Sequence, residues 1–266
     1  MSSRRIPTWR RLAWAAWRPP SDPQFYGELD IDATAMLAYL EHVREVSGTR
    51  VTITHLIGRA VAHGLAEVPE LRVRMALGRE FERETADVFF ITSVAEDKEL
   101  SGVKITDVAR KSVVEVADEL TRRHAAIADG VDPEFGRSKA LLGLLPIWSL
   151  RAVMRCGAWL TTALDLDLKV LGMPRQAFGG AMVTSVGMWG VRRAFSPLAA
   201  YYRVPVLVLV GAVEQRAVVV DGQVVARPVL GVTATFDHRY LDGAQAVRFA
   251  AAAREYCADP PAYEPV

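Results

Sequence analysis

Two valine-rich runs, Ala217 to Val220 and Gln223 to Ala226, sit on either side of Asp221-Gly222. Little but a β-hairpin satisfies that pattern. A two-residue loop between strands needs left-handed backbone, which Asp-Gly supplies at low steric cost. Val204 to Val213 reads as a further strand upstream, and Val229 to Phe236 as a buried strand downstream. The last strand hands the chain to Asp237-His238-Arg239-Tyr240-Leu241-Asp242-Gly243, ahead of a helix suggested by Ala244 to Tyr256. His238 therefore stands at a strand-turn-helix corner, with Gly243 allowing a tight bend. Imidazole titrates near neutrality and needs little tuning to serve as a general base. On the three fixed positions alone, a structural corner explains His238 as well as chemistry does.

The first half of the chain is richer in helix. Glu28 to Ile31 is a short strand, Asp32 caps a helix through about Val46, and Ser47-Gly48 stops it. Thr54 opens a second helix, His55 to Glu67, with Leu56, Ala60, Val61 and Leu65 at helical spacing. Strands follow at 72–77, 81–84, 86–94 and 103–108, then a helix at 113–127 and a strand at 181–186. Early helices and late strands point to an α+β sandwich.

The 266 residues are 51% apolar with a net charge of +1, so the chain can bury a real core and no nucleic-acid partner is expected. Cys156 and Cys257 form no disulfide framework, which fits a reducing cytoplasm. The histidines His42, His55, His63 and His124 show no metal-ligand spacing, so no metal site is expected. Residues 1–21 form a basic arm with Trp9, Trp14 and Trp17, and no run is long enough for a membrane span. Residues 22–266 read as one domain, with an apolar insertion at about 139–174. That insertion continues at helical spacing past Arg151, Arg155 and Trp159. Two readings stand beside each other: a helical pair packed on the protein's own body or on another subunit, or an amphipathic hairpin (residues 140–172) at a membrane surface or around a long acyl chain.

The string Asp237 to Ala244, with the apolar helix behind it, resembles the catalytic signature of the acyltransferase domain of 2-oxo-acid dehydrogenase complexes. Chloramphenicol acetyltransferases share that fold. Asp22 to Thr34, His55 to Leu71, Asp87 to Leu120 and Gly179 to Gly187 are similar to further parts of the family, as is Phe195-Ser196-Pro197. The resemblance implies a two-layer α/β sandwich with a mixed sheet that assembles as a trimer, its active site between subunits. It implies coenzyme A thioesters as substrates, no covalently bound cofactor, and direct transfer to a thiol or another nucleophile with His238 as base.

A strand hydroxyl would stabilise the oxyanion. Aligning on Gly187 selects Thr184 and aligning on Trp189 selects Ser185, so both stay candidates. In this fold Asp242 fixes the turn and pairs with an arginine, for which Arg11 offers itself. Asp237 and Arg239 read as solvated charges, with lining of the entrance or interface pairs as the alternatives. The chain lacks lipoyl and subunit-binding segments, so any lipoyl or other carrier would come from another chain. A trimeric or cage-forming scaffold without catalysis is the alternative, and a peripheral lipid-binding protein is a third reading.

Overall fold

A computed structural model describes residues 23–94, 99–129, 146–199 and 201–264. In chain order the described elements are β1 (Gln24–Asp32), α1 (Thr34–Ser47), α2 (Ile53–Glu67), β2 (Val73–Ala76) and β3 (Arg79–Glu82). Next come β4 (Val88–Val94), β5 (Glu99–Ile105), α3 (Val113–Ala128) and α4 (Ile147–Ala158). The chain closes with β6 (Ala181–Ser185), β7 (Val206–Val220), β8 (Gln223–Asp237), α5 (Gly243–Ala258) and the single turn α6 (Pro260–Tyr263). Six strands form one mixed sheet in the order β1-β8-β7-β6-β4-β5, while β2 and β3 make a separate ribbon. Pairing is parallel for β4 with β6 and β6 with β7, and antiparallel elsewhere. The expected α+β sandwich is present.

One face of the sheet carries the helices. Leu56, Ala60, Val61 and Leu65 of α2 are buried against Val88, Phe90, Ala181, Val183 and Val208, with Phe249 of α5 and Val116 of α3 in the same core. Removing side chains of this size from water stabilises the layer by roughly 1.5–3 kcal/mol each. Helical spacing on α2 and alternation on the strands thus meet in one apolar layer. Beneath it, Arg59 of α2 pairs with Glu264 at 2.5 Å, while Tyr256 also donates to that carboxylate and Val113 N–H donates to it at 2.7 Å. A buried pair held this way ties Glu264 to three helices, and deleting one partner would strand a charge.

The Asp-Gly turn forms as expected: Asp221 has φ 51° and Gly222 φ 78°, joining β7 and β8. Val204 to Val213 and Ala217 to Val220 are not two strands, however. β7 runs unbroken through both, and an irregularity between Val210 and Val213 shifts its register against β8. A bulge absorbs the one extra residue without ending the ladder. β1 begins at Gln24, four residues ahead of the expected Glu28, because it pairs with β8 as far as Asp237. β5 covers Glu99–Ile105 rather than 103–108, and Val108–Arg110 is a 3-10 turn. Asp32 does not cap α1 as the boundary residue. Its carboxylate accepts from Thr34 N–H at 2.9 Å and from the Thr34 hydroxyl at 2.5 Å, which lowers its pKa.

The second face of the sheet is partly covered by the segment 191–199. Thr235 donates to Ser196 O at 2.7 Å and Thr233 to Ala194 O, while Gln24 brackets Leu198 with both amide atoms. The crossing is close. A Cβ at Gly211 would lie 1.9 Å from Arg192 O, so only bare backbone fits there. Among the described residues, no helix is long and apolar enough to cross a membrane.

Candidate active site

The corner expected at His238 is built by long-range contacts. β8 ends at Asp237, whose N–H donates to Pro205 O at 2.9 Å, and His238 N–H donates to Pro23 O at 2.7 Å. The imidazole leans on the Phe25 ring, centroids 5.0 Å apart, and Phe25 in turn stacks on Phe236. His238 Nδ1 lies 3.1 Å from Asp242 Oδ1. A tautomer with its proton on Nδ1, beside that carboxylate, leaves Nε2 to accept a proton from an incoming group. The His238 side chain remains about half exposed (54%), so substrate or another chain can reach it.

Two expectations about this corner change. Among the described residues Asp242 meets His238, and it stands at the start of α5, where its N–H donates to Gln245 Oε1 at 3.0 Å. The carboxylate that a described arginine holds at this corner is Asp237. It is buried and accepts from Arg239 Nε at 2.9 Å, Arg239 Nη2 at 2.5 Å and Arg239 N–H at 3.0 Å. Asp237 is therefore the buried half of a turn-closing fork, while the Arg239 side chain stays half exposed. Gly243 does not adopt left-handed backbone, and a Cβ there would meet nothing, so the bend is made by Tyr240 N–H donating to Asp237 O instead. Arg11 lies outside the described residues.

Behind the turn, Arg83 is buried, and burial lowers its guanidinium to about 10. Burial likewise raises the neighbouring Tyr240 phenol. On α2, His55 Nδ1 accepts from Thr52 N–H at 3.2 Å, and burial lowers its pKa to about 4. It therefore stays neutral as a helix-capping acceptor. His63 packs between Tyr256 and Tyr263.

Alternation along β6 separates the two hydroxyl candidates. Ser185 shares the helix-side face with Ala181 and Val183. Thr184 shares the opposite face with Met182 and lines an apolar cleft of about 400 Å³. Its hydroxyl takes no hydrogen-bond partner among the described residues.

The ladder register also places Thr184 relative to His238. Thr184 pairs with Leu209, which pairs with Thr233, and His238 lies five residues further along. At about 3.3 Å per residue and about 4.8 Å per strand spacing, that is roughly 17 Å along the strands and roughly 10 Å across them. One chain cannot bring both groups to a single carbonyl.

The same fold occurs in proteins of known type. The model of the 2-oxoacid dehydrogenases acyltransferase (catalytic domain) family matches residues 15–131 and 174–263, well over half of the chain. The chain belongs to that family. The acyltransferase domain is similar to the dihydrolipoyllysine-residue acetyltransferase component of the Bacillus subtilis pyruvate dehydrogenase complex, 25% identical over 222 residues. That match covers 82% of this chain and 40% of the relative, so the chain spans well under half of that protein's length. Among solved structures, the cubic core of a pyruvate dehydrogenase multienzyme complex superposes with a TM-score of 0.67 at 20% identity, covering 91% of this chain and 84% of that one. A chloramphenicol acetyltransferase superposes with a TM-score of 0.50 at 14% identity, covering 89% of each. The acyltransferase domain thus has the chloramphenicol acetyltransferase-like fold.

The family match skips residues 132–173, close to the insertion expected at 139–174. Within it, 130–145 lie outside the described residues. The described remainder holds α4, which ends in a π-turn, Trp159–Ala163, followed by irregular chain. Thr161 to Ala163 are buried, and Arg74 of the β2-β3 ribbon donates to Ala163 O at 2.7 Å. The end of this helix packs on the protein's own body.

The contacts that sequence reasoning missed are Pro23 O, Phe25 and the Asp237–Arg239 fork. Asp-x-Arg could have flagged the fork. The other two depend on β1 pairing with β8 across some two hundred residues.

Proposed function

We propose that this domain moves an acyl group from a coenzyme A thioester, or a carrier thioester, to a thiol or another nucleophile by direct attack. The observation that carries the reading is the His238–Asp242 pair, which leaves Nε2 at an open surface. Nε2 takes the proton of the acceptor S–H, and the thiolate attacks the thioester carbonyl carbon. The carbonyl π pair moves onto oxygen, giving a tetrahedral oxyanion that accepts a hydrogen bond from the Thr184 hydroxyl. Collapse reforms the carbonyl and breaks the old C–S bond, and the departing coenzyme A thiolate recovers the proton from Nε2. No acyl-enzyme is formed.

The strand register supports a site shared between copies, with His238 from one chain and Thr184 from its neighbour. A homotrimer, or a larger assembly of trimers, is the arrangement that satisfies this, with closed rotational symmetry repeating one interface. We read residues 22–266 as one acyltransferase unit, with 1–21 an arm ahead of it. A separate lipoyl or other carrier protein is the natural acceptor partner, and the cytoplasm the natural compartment.

The test is thioester consumption by purified His238→Ala. It should lose nearly all transfer while keeping its oligomeric state. Unchanged turnover would remove the mechanism.

A further inference from the structure

The cleft at Thr184 is larger than a two-carbon acyl group needs. Its volume is about 400 Å³, and its floor is the sheet face carrying Met182 and Leu207. Its far wall is α4, through Val153, Met154 and Ala158, and Phe178 closes another side. Among the lining hydroxyls Thr161 donates to Gly157 O at 2.9 Å, and the Tyr201 and Tyr202 rings pack on each other with centroids 4.4 Å apart. An occupant that brought many polar atoms would find few partners here, whereas a hydrocarbon loses nothing on entering.

Two facts separate this cleft from a generic void. Thr184, the one hydroxyl aimed at the reacting carbonyl in the reading above, belongs to its lining, so a chain attached to that carbonyl begins inside it. The α4 wall also falls within the segment that the family model does not match.

We infer that this cleft holds the hydrocarbon of the transferred acyl group and selects medium or long apolar acyl thioesters over acetyl. The inference rests on the acyl-transfer reading for the placement of the carbonyl, and on the cleft alone for its apolar preference.

Binding and turnover separate the two. The probe is a series of unreactive S-alkyl coenzyme A thioethers, from ethyl to dodecyl, titrated calorimetrically into the full chain. Affinity should rise roughly fourfold per added methylene until the cleft is filled. Ala158→Phe, which pushes a ring into the cleft from α4, should weaken binding of the long probes tenfold or more and leave the ethyl probe unchanged. Met154→Phe is the second filling variant should the first fail to fold. In turnover, kcat/KM for octanoyl thioester should exceed that for acetyl by at least tenfold in the unmodified chain. Affinity independent of length, or filling variants that leave its slope unchanged, overturns the inference. Length-dependent binding with no thioester turned over would instead remove the acyl-transfer reading and leave the cleft assignment standing.

Discussion

At the His238 corner, the contacts that fix the base come from the sheet end and its own turn: Pro23 O, Phe25, Asp242 and the Asp237–Arg239 fork. At the Thr184 cleft, the hydroxyl comes from the sheet but one wall comes from α4, outside the family match. The first region is held by backbone register, which a one-residue slip would destroy across every pair. The second is shaped in part by side chains of α4, which lies outside the sheet and can change without disturbing the ladder. On the proposed mechanism, the chemistry and the choice of substrate are therefore mechanically separable.

The largest expected effect tests the corner. His238→Ala should lower kcat/KM by roughly 10³-fold or more while the melting temperature stays put, because a general base contributes up to about 10⁴ and a half-exposed ring adds little to stability. A large loss of stability would mean that the corner holds the fold rather than the chemistry.

Thr184→Ala should cost roughly 10²–10³ in kcat, the typical loss of one oxyanion donor, whereas Ser185→Ala should stay within about twofold. Reversed magnitudes would move the donor to the helix-side face of β6 and break the comparison.

Ala158→Phe should then change only the acyl-length profile, by about tenfold on long chains, with acetyl turnover intact. Smallest of all, Asp242→Asn should lower kcat by about two- to fivefold, since the His238–Asp242 pair is exposed to water and screened. A loss as large as that of His238→Ala would make Asp242 an obligatory part of the base.

Much of this was legible in the chain. Asp221-Gly222 announced its hairpin because a two-residue turn has few backbone solutions, and the α2 stripe announced its buried face through helical spacing. His238 stood out because the string from Asp237 to Ala244 was specific. The choice between Thr184 and Ser185 was not legible, since it depends on which sheet face meets the helices, and that is a tertiary fact. The Asp237–Arg239 fork was misread as solvated charge because burial at the end of β8 requires β1 and β7 to flank it. The insertion showed its apolar character but not its form: helical spacing continued past Ala158, where the structure turns into a π-turn and irregular chain.

The central claim is that His238 and Thr184 act on the same carbonyl only across two copies of the chain. Co-expressing His238→Ala and Thr184→Ala chains in equal amounts tests it directly. Random mixing into closed rings gives about one quarter of the interfaces an intact histidine facing an intact threonine. The account predicts that the mixture recovers roughly a quarter of the unmodified activity, far above either variant alone. Activity no greater than the average of the two separate variants would contradict it.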